Sequence, residues 1–214
     1  MKGKNILIIG DSYSTFSGCI PKGYAVYYTG ERTVGPNLTS PSQTWWGLLL
    51  NERGGNLVLN DSASGSTIGY TGYNNTDVSK TTSFICRFEK MIENGFFSQN
   101  KIDIVFIFGG TNDCWCGAPG GKEMFSNWQK TDLYNVFPAI DYLFCQVRKT
   151  LPNSEIYGIA NCDIDKNILT AIKNACNYVN AKFVELDRVD KDCGHPTALG
   201  MEQIKNQIIK VMDN

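Results

Sequence analysis

The chain has one histidine among 214 residues, and that scarcity removes every metal site built on imidazole clusters. It also lacks a charge bias: 20 basic residues face 21 acidic ones, and no long Lys/Arg block stands out. No nucleic-acid partner is therefore expected. Long apolar runs are missing too. Ile102 to Phe108 is interrupted by Asp103 and falls far short of the ~20 residues that a membrane span needs, so no membrane span is expected. Internal repeats, low-complexity tracts and linker-like stretches are absent, which predicts one domain over residues 1–214. Met1-Lys2-Gly3-Lys4 leads straight into a strand pattern without a signal-peptide core, so a cytoplasmic protein is expected. Cysteine is plentiful but scattered, at 19, 86, 114, 116, 145, 162, 176 and 193, without the tight spacing a zinc site requires. The reading is of reduced, mostly buried thiols, with no metal and no cofactor. Cys114, Cys116 and Cys193 lie beside the motifs singled out below, which leaves a redox role open.

With 42% apolar residues the chain can bury a real core. Apolar, β-branched runs at 5–9, 56–59, 102–108, 155–159 and 182–186 read as strands. Between them, apolar residues recur at three and four over 42–52, 82–94, 132–150, 166–180 and 197–212, the helical period. Parallel neighbours need a crossover and a helix supplies it. The alternation thus predicts an α/β fold, a three-layer α/β/α sandwich on a five-stranded parallel sheet. Strand order 2-1-3-4-5 is assigned by analogy with flavodoxin-like sheets. Segments 13–40 and 110–131 carry no clear period and follow strand carboxyl ends, where such sheets bind ligands, so they are expected to wall a site.

The motifs that could carry chemistry follow the strands. Strand one delivers Gly10-Asp11-Ser12, strand two Asn60-Asp61-Ser62-Ala63-Ser64-Gly65, strand three Gly109-Gly110-Thr111-Asn112-Asp113. The last strand leads to Asp192-Cys193-Gly194-His195. A parallel sheet would gather all four on one edge. An imidazole moves protons at neutral pH, and a carboxylate three residues away can hold its Nδ1 proton. Each motif alone is an ordinary turn or helix cap; their order and shared position single them out.

Taken together these blocks resemble the SGNH hydrolases, also called GDSL-type esterases and lipases, with Ser12, Gly65, Asn112 and His195 in the order of the name. Tyr13 stands where the eponymous leucine would be. The resemblance implies acyl-ester hydrolysis with Ser12 as nucleophile, His195 as base and Asp192 orienting the imidazole. It also implies an oxyanion hole from the Ser12 and Gly65 N–H groups and the Asn112 amide. Asp11 and Asp113 are expected to brace these loops. Gly65 is the match with least local signature.

Tyr24, Tyr27, Tyr28, Tyr70, Tyr73, Trp115 and Trp128 cluster in the irregular segments, whereas Trp45 and Trp46 fall in a helical pattern and are expected in the core. Aromatic faces at a site rim can stack on sugar rings, which makes a small-molecule acyl ester, such as an O-acetylated carbohydrate, the expected substrate. Two alternatives stay open. One keeps the site but takes a lipid or thioester; the other treats the hydroxyl-rich 12–18 loop as a phosphate cradle for flavin mononucleotide.

Overall fold

The structure, a computed structural model, describes residues 1–214. In chain order the elements are β1 (Asn5–Gly10), α1 (Trp45–Arg53), β2 (Asn56–Ser62), α2 (Phe84–Glu93), α3 (Phe96–Gln99), β3 (Ile104–Phe108) and α4 (Thr111–Trp115). There follow α5 (Val136–Thr150), β4 (Glu155–Ala160), α6 (Lys166–Tyr178), β5 (Lys182–Glu185), β6 (Lys191–Asp192), β7 (His195–Pro196) and α7 (Ala198–Met212). The five long strands pair in parallel in the order β2-β1-β3-β4-β5. The alternation of strands and helices predicts the parallel α/β architecture, and the strand order is the one assigned by analogy with flavodoxin-like sheets.

Side chains of successive strand residues point to opposite faces. Leu7, Ile9, Val105 and Ile107 pack on one side with residues of α2, α5 and α6. Ile6, Ile8, Ile104, Phe106 and Phe108 pack on the other with Leu49 of α1 and Ile204 and Ile208 of α7. Both faces of the sheet are thereby covered, and its edges of strand carboxyl ends are left to build a site.

Helix starts are set by caps and not by apolar period alone. Thr44 accepts from the Gly47 N–H at 3.0 Å, so α1 begins at Trp45, and the expected residues 42 and 43 belong to a separate 3-10 turn, Pro41–Gln43. Asn135 is extended (φ −102°, ψ 138°), which splits the predicted 132–150 helix into a 3-10 turn, Asp132–Tyr134, and α5. α4 and the β6/β7 hairpin lie where no periodicity marks them, because each is too short to show one.

Candidate active site

β1 ends in a crowded place: a Cβ on Gly10 would come within 2.7 Å of Ser62 Oγ and 2.8 Å of Ser14, so no larger residue fits. Asp11 then leaves the strand, and its Oδ1 accepts the Tyr13 N–H at 3.0 Å, capping the 3-10 turn Ser12–Ser14. Ser12 is the first residue of that turn. Its hydroxyl lies 3.0 Å from His195 Nε2, across 183 residues of sequence.

His195 is carried by the two-residue hairpin between β6 and β7. Cys193 (φ 47°) and Gly194 (φ 75°) both occupy the left-handed region, the backbone that tight hairpins of this length demand. This turn folds the Cys193 carbonyl toward the ring, 3.2 Å from Nδ1. A carbonyl can only accept, so Nδ1 carries the ring proton and Nε2 is left as the acceptor that faces Ser12. Asp192, expected at Nδ1, is not there. Its side chain is exposed and makes no hydrogen bond to the imidazole. The main-chain carbonyl already satisfies Nδ1, and the carboxylate stays in water where its charge is cheaply solvated.

Three tyrosines fix this hairpin. Tyr13 Oη donates to the Gly194 carbonyl at 2.6 Å and Tyr28 Oη to the Pro196 carbonyl at 2.8 Å, one on each side of His195. The Tyr27 ring stacks on the imidazole at 3.5 Å and 8°. Arg32 lies 3.8 Å from the Tyr27 ring centroid and donates to the Tyr27 carbonyl. Burial, with added repulsion from Arg32 and Lys191, holds the His195 pKa below its ordinary value despite the Cys193 carbonyl.

The loop after β2 brings Gly65 to the surface in the left-handed region (φ 78°), with no atom within 4 Å of where a Cβ would stand. Its N–H makes no hydrogen bond within the chain. Asn112, at the start of α4, is buried; its Nδ2 donates to the Ser66 carbonyl at 3.0 Å. Asp113 accepts from the Ile68 N–H at 2.9 Å and the Gly69 N–H at 3.2 Å, tying the β2 loop to α4. Burial pushes the Asp113 pKa up to about 6 and that of Asp11 up to about 7, the latter helped by the nearby Asp113 charge. Both expected braces therefore hold backbone.

Arg87 escaped the sequence reading. Fully buried on α2, it pairs with Asp61 at 2.5 Å, donates to the Gly10 carbonyl at 3.0 Å and reaches Ser66 Oγ at 3.4 Å. One guanidinium thus joins the ends of β1 and β2 to the Gly65 loop. A helical Arg among apolar neighbours carries no linear mark of that role. Asn161, at the end of β4, was likewise missed; its Nδ2 donates to Tyr13 Oη at 3.1 Å.

Other expectations resolve as packing. Ser14 Oγ accepts from Trp45 Nε1 at 3.1 Å, and Thr15 Oγ1 accepts from the Tyr27 N–H at 2.9 Å. Two hydroxyls of the expected phosphate cradle, those of Ser14 and Thr15, are thus engaged inside the protein. Trp45 and Trp46 are buried as expected, but of the eight free thiols only Cys86 and Cys176 are fully buried, and Cys193 is exposed. Trp115 and Tyr73 remain exposed beside the site, Trp115 at 5.8 Å from the imidazole ring centre. No helix is long and apolar enough to cross a membrane.

A parallel α/β/α sheet whose carboxyl edge brings a serine hydroxyl to an imidazole nitrogen is an arrangement suited to hydrolytic chemistry. Residues 4–212 match the GDSL-like Lipase/Acylhydrolase family, and the chain belongs to that family of ester-bond hydrolases. Among solved structures, a protein described as a GDSL-like lipase from Bacteroides ovatus is 40% identical over 100% of this chain and 99% of its own, with a TM-score of 0.91. One of the same description from Bacteroides uniformis is 35% identical, covering 98% and 95%, with a TM-score of 0.89. An acetyl xylan esterase from the rumen bacterium Butyrivibrio proteoclasticus is 16% identical over 100% of this chain and 64% of its own, with a TM-score of 0.62, a likeness of fold. No curated protein sequence matches.

Proposed function

We propose that the protein removes short acyl groups, acetyl foremost, from carbohydrate hydroxyls by a Ser12–His195 pair backed by a main-chain carbonyl. The observation that carries this reading is the Nε2 to Oγ distance of 3.0 Å with Nδ1 engaged at Cys193. In the first step Ser12 Oγ attacks the ester carbonyl while Nε2 takes its proton. The imidazolium then returns that proton to the leaving alcohol, and water repeats the cycle on the acyl-enzyme. Cys193 O faces the Nδ1–H throughout and is drawn more tightly to the cation. The Gly65 N–H, the Ser12 N–H and Asn112 Nδ2 receive the developing oxyanion. Asp192 has no part in this scheme.

Support for a carbohydrate comes from the flat, exposed faces of Trp115 and Tyr73 beside polar groups, which suit a sugar ring better than a long acyl chain. The acetyl xylan esterase of the same fold points the same way. Hydrolysis of p-nitrophenyl acetate, butyrate and octanoate, and acetate release from acetylated xylo-oligosaccharides, would be compared for the wild type and Ser12→Ala. Acetate preferred over octanoate, release from the oligosaccharide, and loss of both in the variant support the reading. An octanoate preference would move the substrate to lipids, and full activity in Ser12→Ala would remove the nucleophile.

A further inference from the structure

Tyr73 makes a contact for which the esterase scheme so far has no use. Its Oη donates to Asn112 Oδ1 at 2.8 Å, from a residue otherwise exposed to a side chain otherwise buried. The loop that presents it is built for that approach. The Gly72 N–H bonds the Thr76 carbonyl at 2.8 Å, Thr71 and Asp77 form an isolated bridge, and a Cβ on Gly72 would meet Val78 at 2.9 Å. Asn74 (φ 55°) and Asn75 (φ 56°) both sit in the left-handed region, which two successive non-glycine residues rarely occupy. Thr71 Oγ1, bonded to the Tyr134 carbonyl at 2.7 Å, anchors the base of the loop.

We infer that Tyr73 is a positioning residue of the oxyanion hole, acting through Asn112; the inference rests on the esterase reading above. A carboxamide can flip, and its two ends present opposite chemistry to an oxyanion. Here the Tyr73 hydroxyl occupies the Oδ1 end and the Ser66 carbonyl takes one hydrogen of Nδ2, so the second Nδ2 hydrogen is the one available to substrate. The hydroxyl also draws electron density toward Oδ1, which makes Nδ2–H a stronger donor when negative charge develops nearby. It stays a donor through the neutral range, because burial and the surrounding Cys116, Asp11 and Asp113 push its pKa up to about 12. Through this hydroxyl Tyr73 acts on the transition state, a role separate from any stacking of its ring on a sugar.

The test removes only the hydroxyl. Tyr73→Phe, Asn112→Ala and the double variant would be assayed on p-nitrophenyl acetate, with circular dichroism to check folding. Phenylboronate binding would be measured beside them as a tetrahedral mimic that bonds Ser12 Oγ. Expected for Tyr73→Phe is a kcat lower by about tenfold with KM within about twofold, the size of one lost hydrogen bond to a polarised group, and phenylboronate binding weakened in parallel. In the Asn112→Ala background the second substitution should change neither turnover nor phenylboronate binding. Unchanged kcat and phenylboronate binding in Tyr73→Phe would overturn the inference, and so would a full, independent loss on top of Asn112→Ala. If the wild type hydrolyses no acyl ester, the esterase reading falls and this inference with it; an active wild type with an indifferent Tyr73→Phe removes the inference alone.

Discussion

Tyr13 Oη donates to the Gly194 carbonyl at 2.6 Å, joining the turn that carries Ser12 to the turn that carries His195. The residue that departs from the leucine of the family name is therefore the one that locks the two halves of the site together. Asn161 supports it from the end of β4 at 3.1 Å, and Lys191 in turn bonds Asn161 Oδ1 at 2.8 Å. Tyr13→Phe keeps the buried ring and leaves the Gly194 carbonyl without its donor. Catalytic efficiency is expected to fall by about 10–10², since small displacements of a proton acceptor are costly, while the fold persists. Kinetics on p-nitrophenyl acetate beside a thermal melt check this; full activity would mean that the hairpin holds itself.

The exposed Asp192 carries no bond to the ring, so its loss should matter little. Asp192→Asn is expected to stay within about threefold of wild-type kcat/KM, whereas His195→Ala should lose about 10³-fold or more. In a triad that depends on its carboxylate, the first substitution costs about 10⁴. A loss of that size would show that Asp192 swings onto Nδ1 during turnover.

The pH profile follows from the depressed pKa of His195. Only the neutral ring accepts the serine proton, so kcat/KM should rise with pH through one ionisation below 6.5, the unperturbed histidine value being about 6.5. Arg32→Gln removes a positive charge that repels the imidazolium, and the inflection is then expected to move up. An inflection that stays put would remove Arg32 as a cause and leave burial and Lys191.

Arg87 and Asp61 form a buried ion pair at 2.5 Å under the β1 and β2 ends. Removing one partner strands a charge in the interior, so Arg87→Met is expected to destabilise by about 3–5 kcal/mol. Arg87→Met with Asp61→Leu should recover part of the loss, because no lone charge remains. Urea unfolding of the three proteins decides the matter, and equal stability of the wild type and Arg87→Met would deny the pair any structural weight.

Asp141 is buried on α5, accepts the Met124 N–H at 2.8 Å through Oδ2, and leaves Oδ1 unpaired. Burial raises its pKa to about 7. Between the unfolded value near 3.9 and that folded value, the native state holds the extra proton. The Asp141 contribution therefore favours folding less and less as pH rises from about 4 to about 7, and Asp11 and Asp113 act in the same direction. Asp141→Asn keeps an acceptor for Met124 and cannot ionise. Its Tm should fall less between pH 5 and pH 8 than that of the wild type, as differential scanning would show; parallel curves would mean that Asp141 titrates normally.

What the sequence by itself determined is the order of elements and the placement of Ser12, Gly65, Asn112 and His195 on one edge. Strand and helix periods are local, and a parallel sheet turns every strand end the same way, so Ser12, Gly65 and Asn112 follow β1, β2 and β3 directly. Only the tertiary structure decided what holds the imidazole. Every residue carries a main-chain carbonyl, and nothing in the linear run from Asp192 to His195 says that the one at Cys193 will reach Nδ1 while the nearby carboxylate stays in water. The same holds for Tyr13 on Gly194, Tyr73 on Asn112 and Arg87 on Gly10, contacts that span 181, 39 and 77 residues. Each depends on where two remote segments pack, and such distances are set by the whole core on both faces of the sheet and by no local pattern.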